Sequence, residues 1–279
     1  MKYQRIPSIV LVSFVLTLTM VEFSTAQVER IWLTHASNNP DKLSVNWESV
    51  TSGNAVVRYG ASEEYDSVVT VEENTNLHQV EISLDPEVSV YHYQVSTNNQ
   101  QSSRHTFKNY PQDELRVAVV ADWQGKPNLD ILLQEGIHLL LTAGDNIPNI
   151  HGSCGVGVAN CIEPYRQLID TYPELFSSTP FMPVLGNHDR EIRPRGKTPP
   201  DDPVYDVKAS AFRRFFTLPG DEWKWTFVIP NFGVRFVALD LNHIEDRGNS
   251  WQTCHSFGKD SQQYEWYSEV MSQADENFV

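Results

Sequence analysis

FMPVLGNHD, residues 181–189, is the stretch on which the fold turns. An apolar run ends at Gly186, and Asn187, His188 and Asp189 follow, three side chains that hold metals, protons or both. Alone, such a tetrapeptide reads equally well as a turn. Two earlier segments end the same way, RVAVVAD (116–122) and IHLLLTAGD (137–145). Each is a continuous apolar run of the kind found in strands buried on both faces. PNLDILLQEG (127–136), IEPYRQLIDTYPELF (162–176) and SAFRRFFTL (210–218) have helical spacing. WKWTFVIP (223–230) and VRFVALD (234–240) read as two more strands. Strands alternating with helices predict a layered, doubly wound α/β domain. REIRPRGKTPPDDP (190–203), dense in proline and charge, is predicted to be an irregular loop.

Upstream the pattern differs. IWLTHAS, KLSVNWESV, AVVRYG, HQVEISL, SVYHYQVS and SRHTFKNY are short runs rich in Val, Ile, Thr and aromatics. Turn formers such as NNPDK, TSGN and SLDPEV separate them. Short strands at this spacing predict a β-sandwich over residues 27–110. Trp47, Tyr59, Tyr91 and Tyr93 fall at alternating positions, where inward-facing core aromatics belong. A chain of 279 residues with 40% hydrophobic residues has enough material for two such cores.

The N-terminus carries Lys2 and Arg5, an apolar run from Ile6 to Val21, then Ser24, Thr25 and Ala26. This is the layout of a signal peptide over residues 1–26, with export to a secreted or otherwise extracytoplasmic location. An uncleaved membrane anchor is the alternative, for which the apolar run is short. Export permits a disulfide among Cys154, Cys161 and Cys254. The glycine-containing loop CGVGVANC (154–161) favours Cys154–Cys161, with the other two pairings open. The net charge of −15 disfavours nucleic acid and anionic membrane surfaces as partners.

Ligands of open α/β sheets bind at the carboxyl ends of the strands. Asp122, Asp145 and Asn187 would therefore meet at one edge. Neighbouring carboxylates repel one another unless a cation lies between them, and a divalent metal accepts this donor set. Taken singly, Asp122 is as good a helix cap, and Asp145 and Asn187 as good turn residues. Three such endings in order are far more specific. Asp240 ends its strand in the same style and is read as structural or loop support. His243, His255 and Trp251 are read as ordinary loop residues, and Asn149 and His151 as cleft-lining candidates.

Together, GD at 144–145 and GNHD at 186–189 resemble the calcineurin-like metallophosphoesterases, and most of all their purple acid phosphatase branch. VNW, VVRYG and VYHYQV resemble that branch's N-terminal fibronectin-like sandwich. The resemblance implies an all-β fibronectin-like sandwich followed by a layered α/β/β/α-type metallophosphoesterase domain over residues 111–279. It implies hydrolysis of phosphorylated small molecules by two metal ions, iron, manganese or zinc. Asp122 would hold one metal, Asp145 would bridge both and Asn187 would hold the second. His188 would contact phosphate and protonate the leaving group, with Asp189 orienting its ring. Three departures stand against the family pattern. Gln124 occupies the place of a histidine, and Pro148 that of the purple branch's tyrosine. The later Val-x-x-His and Gly-His-x-His motifs do not occur in the chain, which predicts an incomplete catalytic domain. The alternative expectation is a non-catalytic extracellular binding module or an inactive truncated phosphoesterase.

Overall fold

Two cores organise the chain, one inside an antiparallel β unit and one inside a mixed α/β unit. The computed structural model describes residues 28–122, 124, 128–246 and 249–279. The proposed signal peptide lies outside them.

The first unit comprises β1 (Val28–Thr34), β2 (Lys42–Gly60), β3 (Ser67–Ser83), β4 (Val90–Thr97), β5 (Gln100–Gln101) and β6 (His105–Lys108). TSGN (51–54) does not form the expected turn, because β2 runs through it as one strand of 19 residues. Its pairing with β3 changes register between Glu48 and Gly53 and again before Ala55. Such irregularities let a strand bend without ending. The leading half of β2 pairs β1 and the far half of β3, whereas the trailing half pairs β4 and the near half of β3. Trp47, Val57, Tyr93 and Val95 are fully buried in one shared core, with Tyr59 and Tyr91 nearly so. The alternating aromatics thus point inward as their spacing predicts.

In the second unit, β7 (Val117–Val120), β8 (Leu139–Thr142) and β9 (Phe181–Met182) form a parallel sheet in the order β7-β8-β9. Strands β10 (Trp225–Ile229) and β11 (Val234–Ala238) form a separate antiparallel hairpin. The doubly wound expectation is therefore corrected: these two strands do not extend the parallel sheet. Helices α1 (Asp130–Glu135), α2 (His151–Cys154), α3 (Glu163–Thr171), α4 (Pro173–Ser178), α5 (Ser210–Phe215) and α6 (Gln262–Ser272) complete the unit. The single helix expected over 162–176 is broken at Tyr172. Pro173 explains the break, since proline disfavours helical backbone in the residue before it and has no N–H to continue the ladder. The third strand is only two residues long and stops before Pro183, for the same lack of a donor. Tyr165, Phe181, Phe212, Phe215 and Phe216 are fully buried in this second core. Cys154 and Cys161 are disulfide-bonded, and Cys254 is free and buried. No described helix is long and apolar enough to cross a membrane.

The two units are locked together. Trp32 of β1 leaves its own sheet's core to stack on Phe215, ring centroids 4.3 Å apart. Tyr93 donates its hydroxyl proton to the Ser177 carbonyl at 2.6 Å. Glu48 of β2 is buried and accepts from Arg166 of α3 at 2.7–3.0 Å and from Arg30 at 2.5 Å. Arg30 in turn holds Asp170 through two bonds of 3.0 and 3.1 Å. Removing the carboxylate leaves two guanidiniums facing one another. Breaking a buried ion pair by deleting one partner costs about 3–5 kcal/mol, and the part-exposure of Arg166 places Glu48→Ala nearer ~2–3 kcal/mol. Denaturant unfolding of Glu48→Ala against wild type measures this, and a loss under ~1 kcal/mol would show that water replaces the carboxylate.

Candidate functional site

The parallel register brings the three strand ends into line. Val120 lies opposite Thr142, and Leu141 opposite Met182. Asp122, Asp145 and Asn187 therefore leave the sheet at one edge, as their positions in sequence predict. Asp122 and Asp145 both adopt left-handed backbone, φ 50° and 56°. Aspartate tolerates that region better than most residues, and such conformations concentrate at functional sites. Two glycines let the loops meet. A Cβ on Gly144 would lie 3.0 Å from the Gly186 Cα, and a Cβ on Gly186 would lie 2.0 Å from Asp145 Oδ1. The space beside Gly186 is thus a cradle for the Asp145 carboxylate.

Both Asp145 oxygens have protein donors: His188 N–H to Oδ1 at 3.1 Å and the Gln124 side-chain amide to Oδ2 at 2.7 Å. Gln124 therefore turns its nitrogen, not its oxygen, toward the aspartate. Asp122 is exposed, and among the described residues neither its carboxylate nor the Asn187 carboxamide makes a hydrogen bond. The three groups are hard oxygen donors, which suit a divalent cation such as manganese or magnesium. Among the described residues no three His, Cys, Asp or Glu side chains gather as a metal site. Among the described residues, the two-metal centre implied by resemblance would need donors beyond Asp122, Asp145 and Asn187.

Asp189 does not do what the resemblance implies. Its carboxylate is fully buried and accepts from Gly186 N at 2.8 Å, Asn146 N at 3.2 Å and Asn146 Nδ2 at 3.1 Å. Tyr165 donates to its carbonyl at 2.9 Å. Burial pushes the Asp189 carboxyl up to about 6, against the pull of these N–H donors. No hydrogen bond joins it to the His188 ring among the described residues. Asp189 is a staple between the end of β8 and the GNHD turn, not the partner of the imidazole.

The ring is oriented by other groups. His188 Nδ1 lies 2.5 Å from the Pro148 carbonyl oxygen, which only accepts, so Nδ1 carries the proton. Nε2 accepts from Arg195 Nη2 at 2.9 Å. Glu191 Oε2 sits 3.7 Å from Nδ1, and Glu191 Oε1 sits 3.5 Å from His151 Nε2. Asn149, the other cleft-lining candidate, instead accepts from Gly152 N at 2.7 Å and shapes the turn into α2. Sequence reasoning missed Asn146, Glu191 and Arg195. Asn146 had a signal in its place beside Asp145, whereas Glu191 and Arg195 lie in a loop without periodicity.

Arg190 is also fully buried and forms a two-pronged pair with Asp240 at 3.0 Å on each arm. Asp240 further accepts from His255 N and Nδ1, both at 2.8 Å, and His255 stacks on Trp223 at 3.8 Å. The supporting role read for Asp240 is thus observed, and His255 is part of that support and not an ordinary loop residue. Burial pushes the Asp240 carboxyl up, but the His255 hydrogen bond and the Arg190 charge together outweigh it and hold it below its ordinary value. A depressed carboxyl adds stability above its unfolded value and loses it as pH falls through the folded one. Wild-type protein is therefore expected to lose stability below about pH 4 more steeply than Asp240→Asn, whose midpoint starts lower. Thermal unfolding between pH 3 and 6 (roughly the carboxylate range) checks this, and parallel curves would contradict it.

The geometry can be set beside known proteins. No curated protein matches the chain. Among solved structures, that of PhoD superposes with a TM-score of 0.54 at 13% identity, covering 75% of this chain and 50% of that one. The chain thus spans about half the length of PhoD, and the likeness is one of fold. A redesigned β-sandwich protein aligns over 29% of this chain and 92% of its own, at 17% identity and a TM-score of 0.23. A sequence profile of the calcineurin-like phosphoesterases matches residues 115–278, more than half of the chain, which therefore belongs to that family.

Proposed function

We propose that the chain is an exported, acid phosphatase-like phosphomonoesterase of the purple acid phosphatase branch. The observation that carries this is the meeting of Asp145, Gly186 and His188 at the carboxyl edge of the parallel sheet. Family membership makes it a metal-dependent phosphoesterase in general terms, and the finer reading is ours. The disulfide and the signal-like segment support export. The bent antiparallel unit supports a fibronectin-like sandwich over residues 27–110, before a catalytic domain over 111–279.

Asp122, Asp145 and Asn187 would hold the cation. A divalent ion there supplies Lewis acidity toward water and the phosphoryl oxygens. The rest falls to the chain's own residues. A water oxygen forms the new bond to phosphorus and gives up one proton to solvent as the ester P–O bond breaks. Protonated at Nε2, His188 delivers that proton to the departing oxygen, while the Pro148 carbonyl holds Nδ1–H and fixes the ring plane. The ring is then neutral, with a bare Nε2, which is the form in the structure. It takes a proton from solvent before the next cycle.

A second reading, a non-catalytic extracellular module, has one observation in its favour: no three metal-binding side chains gather among the described residues. Hydrolysis of an aryl phosphate by the purified chain separates the two. Manganese-dependent turnover is expected, with His188→Ala lowering kcat by about a hundredfold or more. Asp145→Asn should remove the manganese dependence. Wild-type protein without turnover in manganese, iron or zinc would leave the binding-module reading standing.

A further inference from the structure

Arg195 has no assigned role, yet it makes the closest side-chain contact to His188. Its Nη2 donates to the imidazole Nε2 at 2.9 Å, the nitrogen that must face substrate. Its Nε lies 3.1 Å from Glu191 Oε2, close enough for charge attraction. That oxygen nevertheless has no hydrogen bond, so the guanidinium sits off-line from the carboxylate. The contrast with Arg190 is direct. Arg190 is fully buried and meets Asp240 through a matched fork. Arg195 is part-exposed, its side chain at 24% of full accessibility. Among the described residues its one in-line bond goes to a neutral ring. It stands in the proline-rich loop 190–203 beside His188, with Nη2 bonded to the ring and Nε only within charge-attraction distance of Glu191.

A guanidinium fork fits the paired oxygens of a phosphate far better than one imidazole nitrogen. A terminal phosphomonoester presents such a pair with two negative charges, whereas a diester presents one charge and a second ester arm. We propose that Arg195 grips the phosphate of a dianionic phosphomonoester and in doing so leaves His188 Nε2 open to the departing oxygen. Without phosphate, Arg195 caps that nitrogen. Arg195 is then both the specificity-determining residue and the latch on the acid. This rests on the phosphoesterase reading.

The test uses the full chain with manganese, in wild type, Arg195→Gln and Arg195→Lys. Calorimetry measures binding of inorganic phosphate, and steady-state kinetics compares an aryl phosphomonoester with the corresponding diester. Arg195→Gln should weaken phosphate binding about tenfold or more and raise KM for the monoester by a similar factor. The diester KM should change little. Arg195→Lys, which keeps the charge and the pairing to Glu191, should recover part of the loss. Thermal unfolding of both variants shows that each is folded. Unchanged phosphate binding in Arg195→Gln, with hydrolysis intact, overturns the role of Arg195 alone. Equal losses on monoester and diester overturn the selectivity. Wild-type protein that neither binds phosphate nor hydrolyses either ester overturns this proposal and the phosphoesterase reading together.

Discussion

Two adjacent side chains of opposite charge, Asp189 and Arg190, are both fully buried, and the site depends on how each is paired. Burying an unpaired charge costs several kcal/mol, so neither position tolerates a loose partner. Asp189 is tied to Asn146 and Gly186, and therefore to the end of β8. Arg190 is tied to Asp240, and therefore to the end of β11. Asn146 extends the first tie, since it also accepts from Thr142 Oγ1 and donates to the Val184 carbonyl. The segment that presents His188 is thus nailed to both sheets of the α/β unit. For the proton-donor role proposed for His188 this support matters, because small displacements cost large factors in rate.

The antiparallel unit packs against the same parts of the α/β unit. His35 of the β1–β2 connection stacks on Phe227 of β10 at 4.3 Å, and its backbone N–H points at the Met182 sulfur of β9. Burial pushes the His35 ring down to about 4, so it is a neutral packing group under ordinary conditions. With Trp32 on Phe215 and Glu48 on Arg166, three separate contacts fix β1 and β2 against α3, α5 and the hairpin. The antiparallel unit packs as a wall of the α/β unit and not as a tethered neighbour.

What the sequence made legible follows from which interactions are local. The strand ends at Asp122, Asp145 and Asn187 were readable because buried parallel strands leave continuous apolar runs with abrupt polar ends. The inward aromatics were readable because period-two alternation is a property of the strand itself. The continuity of β2 through Thr51–Asn54 was hidden, because a bulge and a turn use the same small polar residues. The separation of β10 and β11 from the parallel sheet was hidden, since pairing partners are chosen in three dimensions. The role of Asp189 was misassigned for a related reason. An aspartate beside a histidine suggests a hydrogen bond between them, yet adjacent side chains in a tight turn point in different directions.

The hydrogen bonding of Asp145 bears on the proposed metal site. Both oxygens of the Asp145 carboxylate accept from the chain. The His188 N–H bond is part of the turn and stays when the turn stays. The Gln124 bond is different, for it comes from the tip of a flexible side chain and can be exchanged for a cation. A neutral amide at this place fills that oxygen without adding charge. A histidine there would instead supply a nitrogen ligand and raise affinity. On the proposed metal reading, a cation at Asp145 Oδ2 would have to displace this hydrogen bond, worth about 1.5–3 kcal/mol when the acceptor is charged. On the proposed metal reading, the residue that departs from the family pattern would favour weaker, more exchangeable, oxygen-bound cations.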